Sequence, residues 1–118
     1  MNAKEVVMGF QQAMGKGDMK AARGFLADNL SFVGPFDRFS NAEAYLEALK
    51  GLAPMIDRVD MKRVFADGDE VALFYDLVTK TPAGTAPCAE WYAVKGGKIT
   101  HIQVYFDARP FAPLMQRK

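Results

Sequence analysis

The fold of this chain is decided by a hairpin sequence near its carboxyl end, residues 89–106, which reads AEWYAVKGGKITHIQVYF. Polar and apolar residues alternate on both sides of Gly96-Gly97, and two adjacent glycines between such stretches predict a two-residue β-turn. That turn places Trp91 opposite Ile102. Because directly opposite residues of an antiparallel pair share a face, this register predicts one apolar face and one polar face.

The apolar face of the hairpin must be covered, because each large side chain contributes about 1.5–3 kcal/mol when it is buried. We therefore expect it to be the concave face of the sheet, unless a β-bulge flips the strand locally. The predicted concave face carries Ala89, Trp91, Ala93, Ile102, Val104 and Phe106. The predicted outer face carries Glu90, Tyr92, Val94, His101, Gln103, Tyr105 and Asp107.

Period-two alternation extends through the carboxyl-terminal half of the chain and predicts a meander of hairpins. The four predicted strands span residues 57–66, 70–80, 87–95 and 98–107. Centring the second connector on Ala83 pairs Tyr75 with Trp91 and adds Tyr75 to the concave face. The same register pairs Asp76 with Glu90, both on the outer face. If a bulge turned them inward, the two carboxylates would become a candidate acid/base pair.

Amphipathic periodicity predicts three helices and one short strand ahead of this meander. The helices span residues 3–14, 19–27 and 41–51, and the short strand spans 30–33. Ser40 followed by Glu43 predicts a capping box at the start of the third helix. This order predicts an α+β fold in which three N-terminal helices pack on a curved four-stranded antiparallel sheet plus one short strand. One hydrophobic pattern runs through residues 1–118, which predicts a single domain.

Composition excludes several classes of function. The formal charge is +1 over 118 residues, and the scattered basic residues predict no contact with nucleic acid or an anionic membrane. Cys88 is the single cysteine, which excludes an internal disulfide and a cysteine-based zinc cluster. The chain has no apolar signal region and no apolar run near the ~18 residues of a membrane span. We expect a cytoplasmic protein that uses no metal and no cofactor.

Three short stretches carry a family resemblance: Gly17-Asp18 between two helices, residues 26–35 (LADNLSFVGP), and residues 97–107 from Gly-Lys-Ile to Tyr-Phe-Asp. In this order and spacing the chain resembles the nuclear transport factor 2-like superfamily, in the SnoaL-like branch with polyketide cyclases, ketosteroid isomerases and limonene epoxide hydrolases. The resemblance implies a cone-shaped α+β barrel with a pocket at its wide end. It also implies a homodimer through the outer sheet face.

The catalytic residues that the resemblance implies are mostly absent from this chain. The isomerase tyrosine corresponds to Phe10, and the isomerase base corresponds to Gly34 or Pro35, with Asp37 as the nearest acid. The second isomerase acid corresponds to Ala89, or to Glu90 if the hairpin is slipped by one residue. A carboxylate that the epoxide hydrolase takes from its last strand corresponds to Val104. Because each such group contributes about 10²–10⁴ in rate, isomerase and hydrolase chemistry of the known kinds is not expected.

Three functions follow as hypotheses. The first is binding of a small hydrophobic molecule without an intact isomerase or hydrolase set. The second is a SnoaL-like enzyme that performs acid/base chemistry on a polyketide- or steroid-like substrate with Asp37 or Glu90. The third is a dimerisation or interaction module whose outer face presents Phe74, Tyr92 and Tyr105. The predicted pocket is lined by Phe10, Met14, Phe36, Tyr75, Trp91, Val104 and Phe106.

Overall fold

The helices lie at the two ends of the chain and between its first strands, in a computed structural model that describes residues 1–115. The α-helices are α1 (Ala3–Gly15), α2 (Met19–Gly24), α3 (Ala42–Leu52) and α4 (Ala112–Met115), with 3₁₀ turns at Ala53–Met55 and Arg109–Phe111. The predicted first and third helices are confirmed to within one residue at each end. The second helix is shorter than predicted, because Leu26 already begins a strand. The helical turns after residue 108 were not predicted.

Six strands form one sheet that is curved and unclosed. They are β1 (Leu26–Val33), β2 (Arg38–Phe39), β3 (Ile56–Asp67), β4 (Glu70–Thr79), β5 (Thr85–Lys95) and β6 (Lys98–Phe106). Their order is β2-β1-β6-β5-β4-β3. The predicted α+β architecture and its four-stranded antiparallel meander are confirmed. The predicted short strand corresponds to β1, which pairs in parallel with β6. On its other side, β1 pairs antiparallel with the two-residue β2.

The helices begin at side-chain caps of the expected chemical type, but not always at the expected residue. In α1, Asn2 and Glu5 exchange hydrogen bonds in a capping box. In α3 the cap is Asn41, whose side chain accepts from the backbone N–H of Ala44 at 2.8 Å. The prediction that Ser40 caps α3 is therefore wrong, since the chain turns into the helix one residue later.

The hydrophobic core lies between the concave face of the sheet and the helices. Helix α1 packs across β3, β4, β5 and β6, and α3 packs against β1. The largest fully buried side chains are Tyr92, Phe10, Leu26, Leu30, Leu73, Ile99, Ile102, Val6, Val7 and Val71. Most of them come from α1 and the central strands, so the helices cover the concave face as predicted.

The register of the β5–β6 hairpin departs from the prediction just beyond its turn. Val94 still pairs with Ile99, but the next pair is Ala93 with His101, so Thr100 is an extra residue in β6. This β-bulge turns both Ile99 and Ile102 inward, and both are completely buried. An unbroken alternation would have exposed one of the two isoleucines, at a cost of about 1.5–3 kcal/mol.

The bulge reverses the predicted facing of β5. The residues of β6 beyond the bulge, from His101 onward, face as predicted. On β6, Ile102 points inward and Gln103 outward, in agreement with the prediction. On β5, however, Glu90 and Tyr92 are buried, whereas Trp91 is 38% exposed. The expectation that Glu90 faces solvent and Trp91 faces the core is therefore wrong.

The β4–β5 connection is centred earlier than predicted. Thr79 donates through its backbone N–H and its hydroxyl to the carbonyl of Gly84, which closes the loop. Asp76 consequently pairs with Pro87 rather than Glu90. Asp76 points outward as expected and lies 3.5 Å from Lys62, so the proposed Asp76–Glu90 carboxylate pair does not form.

Candidate functional site

The interior of the fold contains a carboxyl group held by two tyrosines and a glutamine. Glu90 is 9% exposed and is the one charged side chain that is buried within residues 1–115. Tyr75 donates from its hydroxyl to Glu90 Oε2 at 2.7 Å. Tyr92 donates to the other carboxyl oxygen, Oε1. Gln11 donates to the Tyr92 hydroxyl oxygen at 2.6 Å and lies 3.5 Å from Glu90 Oε1.

Strand pairing sets the positions of these groups on the concave face. Glu90 lies opposite Leu73 of β4 and Val104 of β6. Tyr75 lies two pairs further toward the end of β6, opposite Cys88. Tyr92 lies on the other side of Glu90, toward the hairpin turn. The two tyrosines therefore approach the carboxyl from opposite directions, one to each oxygen.

Burial controls the protonation of this cluster. Desolvation raises the pKa of Glu90 above its usual range, although the hydrogen bonds from Tyr92 and Tyr75 offset part of this effect. None of the salt bridges in the described part of the chain includes Glu90. The carboxyl group thus has hydrogen-bond donors but no cation to stabilise its ionised form.

The neighbouring hydroxyl and thiol groups stay protonated at neutral pH. Burial, followed by the charge of Glu90, raises the pKa of Tyr75 and of Tyr92 well above that of free tyrosine. Burial and the charge of Glu90 also raise the pKa of the nearby Tyr45. The same two effects raise the pKa of Cys88 to about 11, so this thiol is not an activated nucleophile. The cluster can transfer or share protons, but it offers no strong nucleophile.

The protein family follows from the sequence itself. Residues 7–102 match the sequence profile of the SnoaL-like domain. The chain belongs to the SnoaL-like family. Among curated proteins, no sequence matches it.

Solved structures share the SnoaL-like fold over nearly the whole chain. A protein from Kribbella flavida superposes with a TM-score of 0.87 at 24% identity, covering 97% of this chain and 93% of its own. An NTF2-like protein of unknown function from Cytophaga hutchinsonii has a TM-score of 0.83 at 26% identity, with coverage of 94% and 95%. TerC, crystallised with polyporic acid, has a TM-score of 0.81 at 15% identity, with coverage of 98% of both chains.

The SnoaL-like interior contains most of the residues that were predicted to line a pocket. Phe10 and Tyr75 are buried, and Met14, Val104 and Phe106 are half-buried against the core. Phe36 is more exposed, but its ring lies 6.2 Å from that of Phe106. Trp91 lies on the outer face instead, where its indole N–H donates to Glu70 Oε1 at 2.8 Å. The prediction that Trp91 lines the pocket is therefore wrong, since the bulge turned β5 over.

The two predicted candidates for acid/base chemistry are not brought together. Asp37 is exposed in the turn between β1 and β2, and its backbone carbonyl accepts from Gly34. No hydrogen bond of the described residues joins it to Glu90. A role for Asp37 as a base stays a prediction from the sequence. Glu90, in contrast, points inward. The family resemblance assigned the second isomerase acid to Glu90 for a hairpin slipped by one residue.

Sequence reasoning missed two partners of Glu90. Tyr92 was assigned to the outer face because the predicted hairpin register had no bulge in β6. Gln11 lies one helical turn after the buried Val7 on α1, and a polar residue on the apolar face of a helix was the available signal. No metal site accompanies these groups, since no cluster of three or more His, Cys, Asp or Glu side chains occurs within the described residues.

The Glu90 cluster is closed to solvent in this conformation. Two surface hollows, of about 290 and 220 Å³, lie at the β1–β2 edge and between α2 and α3, and neither is lined by Glu90 or its tyrosines. No buried side-chain nitrogen or oxygen among residues 1–115 lacks a hydrogen-bond partner.

None of the helices in this part of the chain combines the length and hydropathy of a membrane-spanning segment.

Proposed function

We propose that this SnoaL-like chain is a proton-transfer enzyme that takes a small apolar molecule into its interior and moves a proton on it with Glu90. The observation that carries this proposal is the burial of the Glu90 carboxyl between the hydroxyls of Tyr75 and Tyr92. A carboxyl in an apolar interior has a pKa displaced toward neutrality, where general acid/base catalysis is most effective.

The proposed mechanism uses one carboxyl group for both proton transfers. The family positions for an additional tyrosine and base are occupied by Phe10 and by Gly34 or Pro35. Ionised Glu90 would remove a proton from the carbon next to a carbonyl group, leaving an enolate, and return it to the same carbon or, in a conjugated enone, to the γ carbon. Tyr75, which stays protonated, would donate to the oxygen on which negative charge develops.

The substrate class follows from the lining of the interior. The apolar Leu73 and Val104 lie opposite Glu90 on the two neighbouring strands, and none of the salt bridges given above supplies a cation there to bind a strongly anionic group. A flat, polyketide- or steroid-like carbonyl compound fits this environment. Co-crystallisation of TerC with polyporic acid supports a small organic molecule as the ligand.

The test is hydrogen exchange of substrate C–H groups in D₂O, followed by proton NMR. The probes are flat apolar ketones, cyclic enones and 1,3-diketones incubated with the wild-type chain. Glu90→Gln should lower any catalysed exchange by about 10²–10⁴-fold. Glu47→Gln makes the same change on an 80% exposed side chain of α3 and should have no effect. Equal exchange by wild type and Glu90→Gln would refute the proposal.

Binding without chemistry is the second candidate function. It is favoured by the complete internal pairing of the Glu90 cluster, because a fully satisfied polar network also stabilises a core without any reaction. Calorimetric binding of a probe compound together with exchange no faster than buffer would select this function over catalysis.

We also propose that the chain forms a homodimer through the outer face of its sheet. This face exposes Phe74, Trp91 and Tyr105, whereas Tyr92, which was predicted there, lies inside. Tyr105→Lys should shift sedimentation toward the monomer, and Met55→Lys, on an exposed residue of the 3₁₀ turn after α3, should not. Unchanged sedimentation of Tyr105→Lys would refute this interface. The cytoplasmic location likewise stays a prediction from the sequence.

A further inference from the structure

The carboxyl-terminal segment, residues 108–115, lies across the end of β6. Its 3₁₀ turn places the ring of Phe111 5.6 Å from that of Phe106, at an interplanar angle of 89°. Phe36, from the β1–β2 turn, contacts the same ring from another side at 6.2 Å. Three phenylalanine rings from separate parts of the chain therefore meet at this end of the sheet.

This aromatic cluster is connected to the candidate site by neighbouring side chains on the concave face of the sheet. Phe106 pairs with Cys88 across β5–β6, and Cys88 pairs with Tyr75 across β4–β5. Paired residues share a face, so all three point into the interior. Tyr75 in turn donates to Glu90 Oε2. The side chains of Phe111, Phe106, Cys88 and Tyr75 therefore form a row of neighbours from the end of the sheet to Glu90, and this row is called the path below.

The ring of Phe111 is the contact that packs this segment against the core. Its backbone hydrogen bonds from Phe111 and Ala112 both go to Ala108, within the segment. Its ion pair joins Arg109 to Asp107, and both side chains are at least half exposed. Among the described residues, the hydrogen bonds of residues 108–115 reach no residue outside the segment except Asp107. Phe111, in contrast, is half-buried against the core.

We propose that residues 108–115 are the gate of the interior site, and that release of Phe111 from Phe106 opens the path to Glu90 Oε2. The gate serves the site on which the proposed function rests. Burial of a single phenylalanine ring corresponds to a closed-to-open ratio of about 10–100. A minor open population of this size admits a ligand without exposing the core permanently.

The single cysteine of the chain lies on the path and reports the opening directly. Cys88 is 6% exposed, so a thiol reagent reaches it only when the path is open. The experiment measures the rate at which iodoacetamide alkylates Cys88 in the intact protein at pH 8.5, without any substrate. Phe111→Ala should raise this rate about 10-fold or more, and the milder Phe111→Leu should raise it less.

A matched control separates gating from general loss of stability. Phe25→Ala removes another half-buried ring, at the opposite end of the sheet, where the carbonyl of Phe25 accepts from Ile99. Urea unfolding gives the stability of each variant, so that alkylation through global unfolding can be subtracted. We expect the Phe25→Ala rate to stay within about twofold of wild type after this correction.

The gate is overturned if both Phe111 variants react at the wild-type rate, or if Phe25→Ala reacts as fast as Phe111→Ala after the correction. These outcomes do not depend on catalysis, because alkylation is measured without substrate. If alkylation responds as expected while no ketone exchanges protons, the gate stands and the proposed chemistry fails.

Discussion

Replacing Glu90 by Gln should change the way in which stability depends on pH. Burial raises the pKa of Glu90 in the folded chain above its value of about 4.5 in the unfolded chain. Between these two pKa values the folded chain retains a proton that the unfolded chain releases. The free energy of unfolding of the wild type therefore falls as pH rises through this window.

The magnitude follows from the linkage between protonation and folding. The fall is at most about 1.4 kcal/mol per pH unit, and it ends once the pH exceeds the folded pKa of Glu90. Each unit by which burial raises that pKa thus removes about 1.4 kcal/mol of stability at high pH. A glutamine side chain does not titrate, so Glu90→Gln lacks this contribution. Its amide also replaces the acceptor for one tyrosine hydroxyl, which costs about 1 kcal/mol at all pH values.

Urea unfolding at pH 4, 5, 6, 7 and 8 measures the difference. At pH 4 we expect Glu90→Gln to be less stable than wild type by about 1 kcal/mol. As pH rises through the folded pKa of Glu90, this advantage of the wild type should shrink. Glu47→Gln, on an exposed residue of α3, should differ from wild type by an amount that does not change with pH.

The reasoning is refuted if the stability difference between wild type and Glu90→Gln stays constant from pH 4 to pH 8. It is also refuted if the wild type gains on the variant as pH rises, because that is the behaviour of an ion-paired carboxylate whose pKa is lowered by folding. A constant difference would mean that Glu90 is solvated, and a gain with pH would mean that the fold stabilises its ionised form.

Two further predictions concern single contacts. Tyr75→Phe removes the donor to Glu90 Oε2 and should raise the pKa of Glu90 further. In the same urea series the free energy of unfolding should fall by about 1–3 kcal/mol at pH 8 and by less at pH 4. An equal loss of stability at both pH values would contradict this prediction. Asn41→Ala should cost about 1 kcal/mol because it removes the cap of α3. Ser40→Ala should cost less than about 0.5 kcal/mol, and a larger effect of Ser40→Ala in urea unfolding would contradict the observed cap.

Local chemistry accounts for the features that sequence analysis predicted well. Helix α1 is amphipathic between an Asn2 cap and Gly17, and the strands are separated by connectors rich in turn-forming residues. Such signals act over a few residues, so they set where elements begin and end. The assignment of Ser40 as a cap failed because Ser40 and Asn41 are both good caps, and only packing of α3 decided between them.

The candidate site could be predicted only in part. Phe10 was expected inside from the helical period of α1 and Phe106 from the hairpin register, and their burial or half-burial agrees with it. Tyr75 was expected inside because it was predicted to pair with Trp91; it is buried, but it pairs with Cys88. Glu90 was named as an acid, but its predicted facing assumed an unbroken alternation through β6, which the bulge at Thr100 interrupts. Gln11 and Tyr92 were missed because their place beside Glu90 depends on how α1 crosses the sheet, and contacts between residues about 80 positions apart leave no local pattern.

By itself, the sequence determined that this chain builds an α+β fold with three helices ahead of an antiparallel meander, since propensity, capping and hydrophobic period are local properties. Only the tertiary structure decided which face of β5 is inside. A bulge at Thr100 buries both Ile99 and Ile102, and the gain from burying two isoleucines outweighs the cost of enclosing one carboxyl that two tyrosines can pair. This balance among groups that are distant in the sequence places Glu90 inside the fold rather than on its surface.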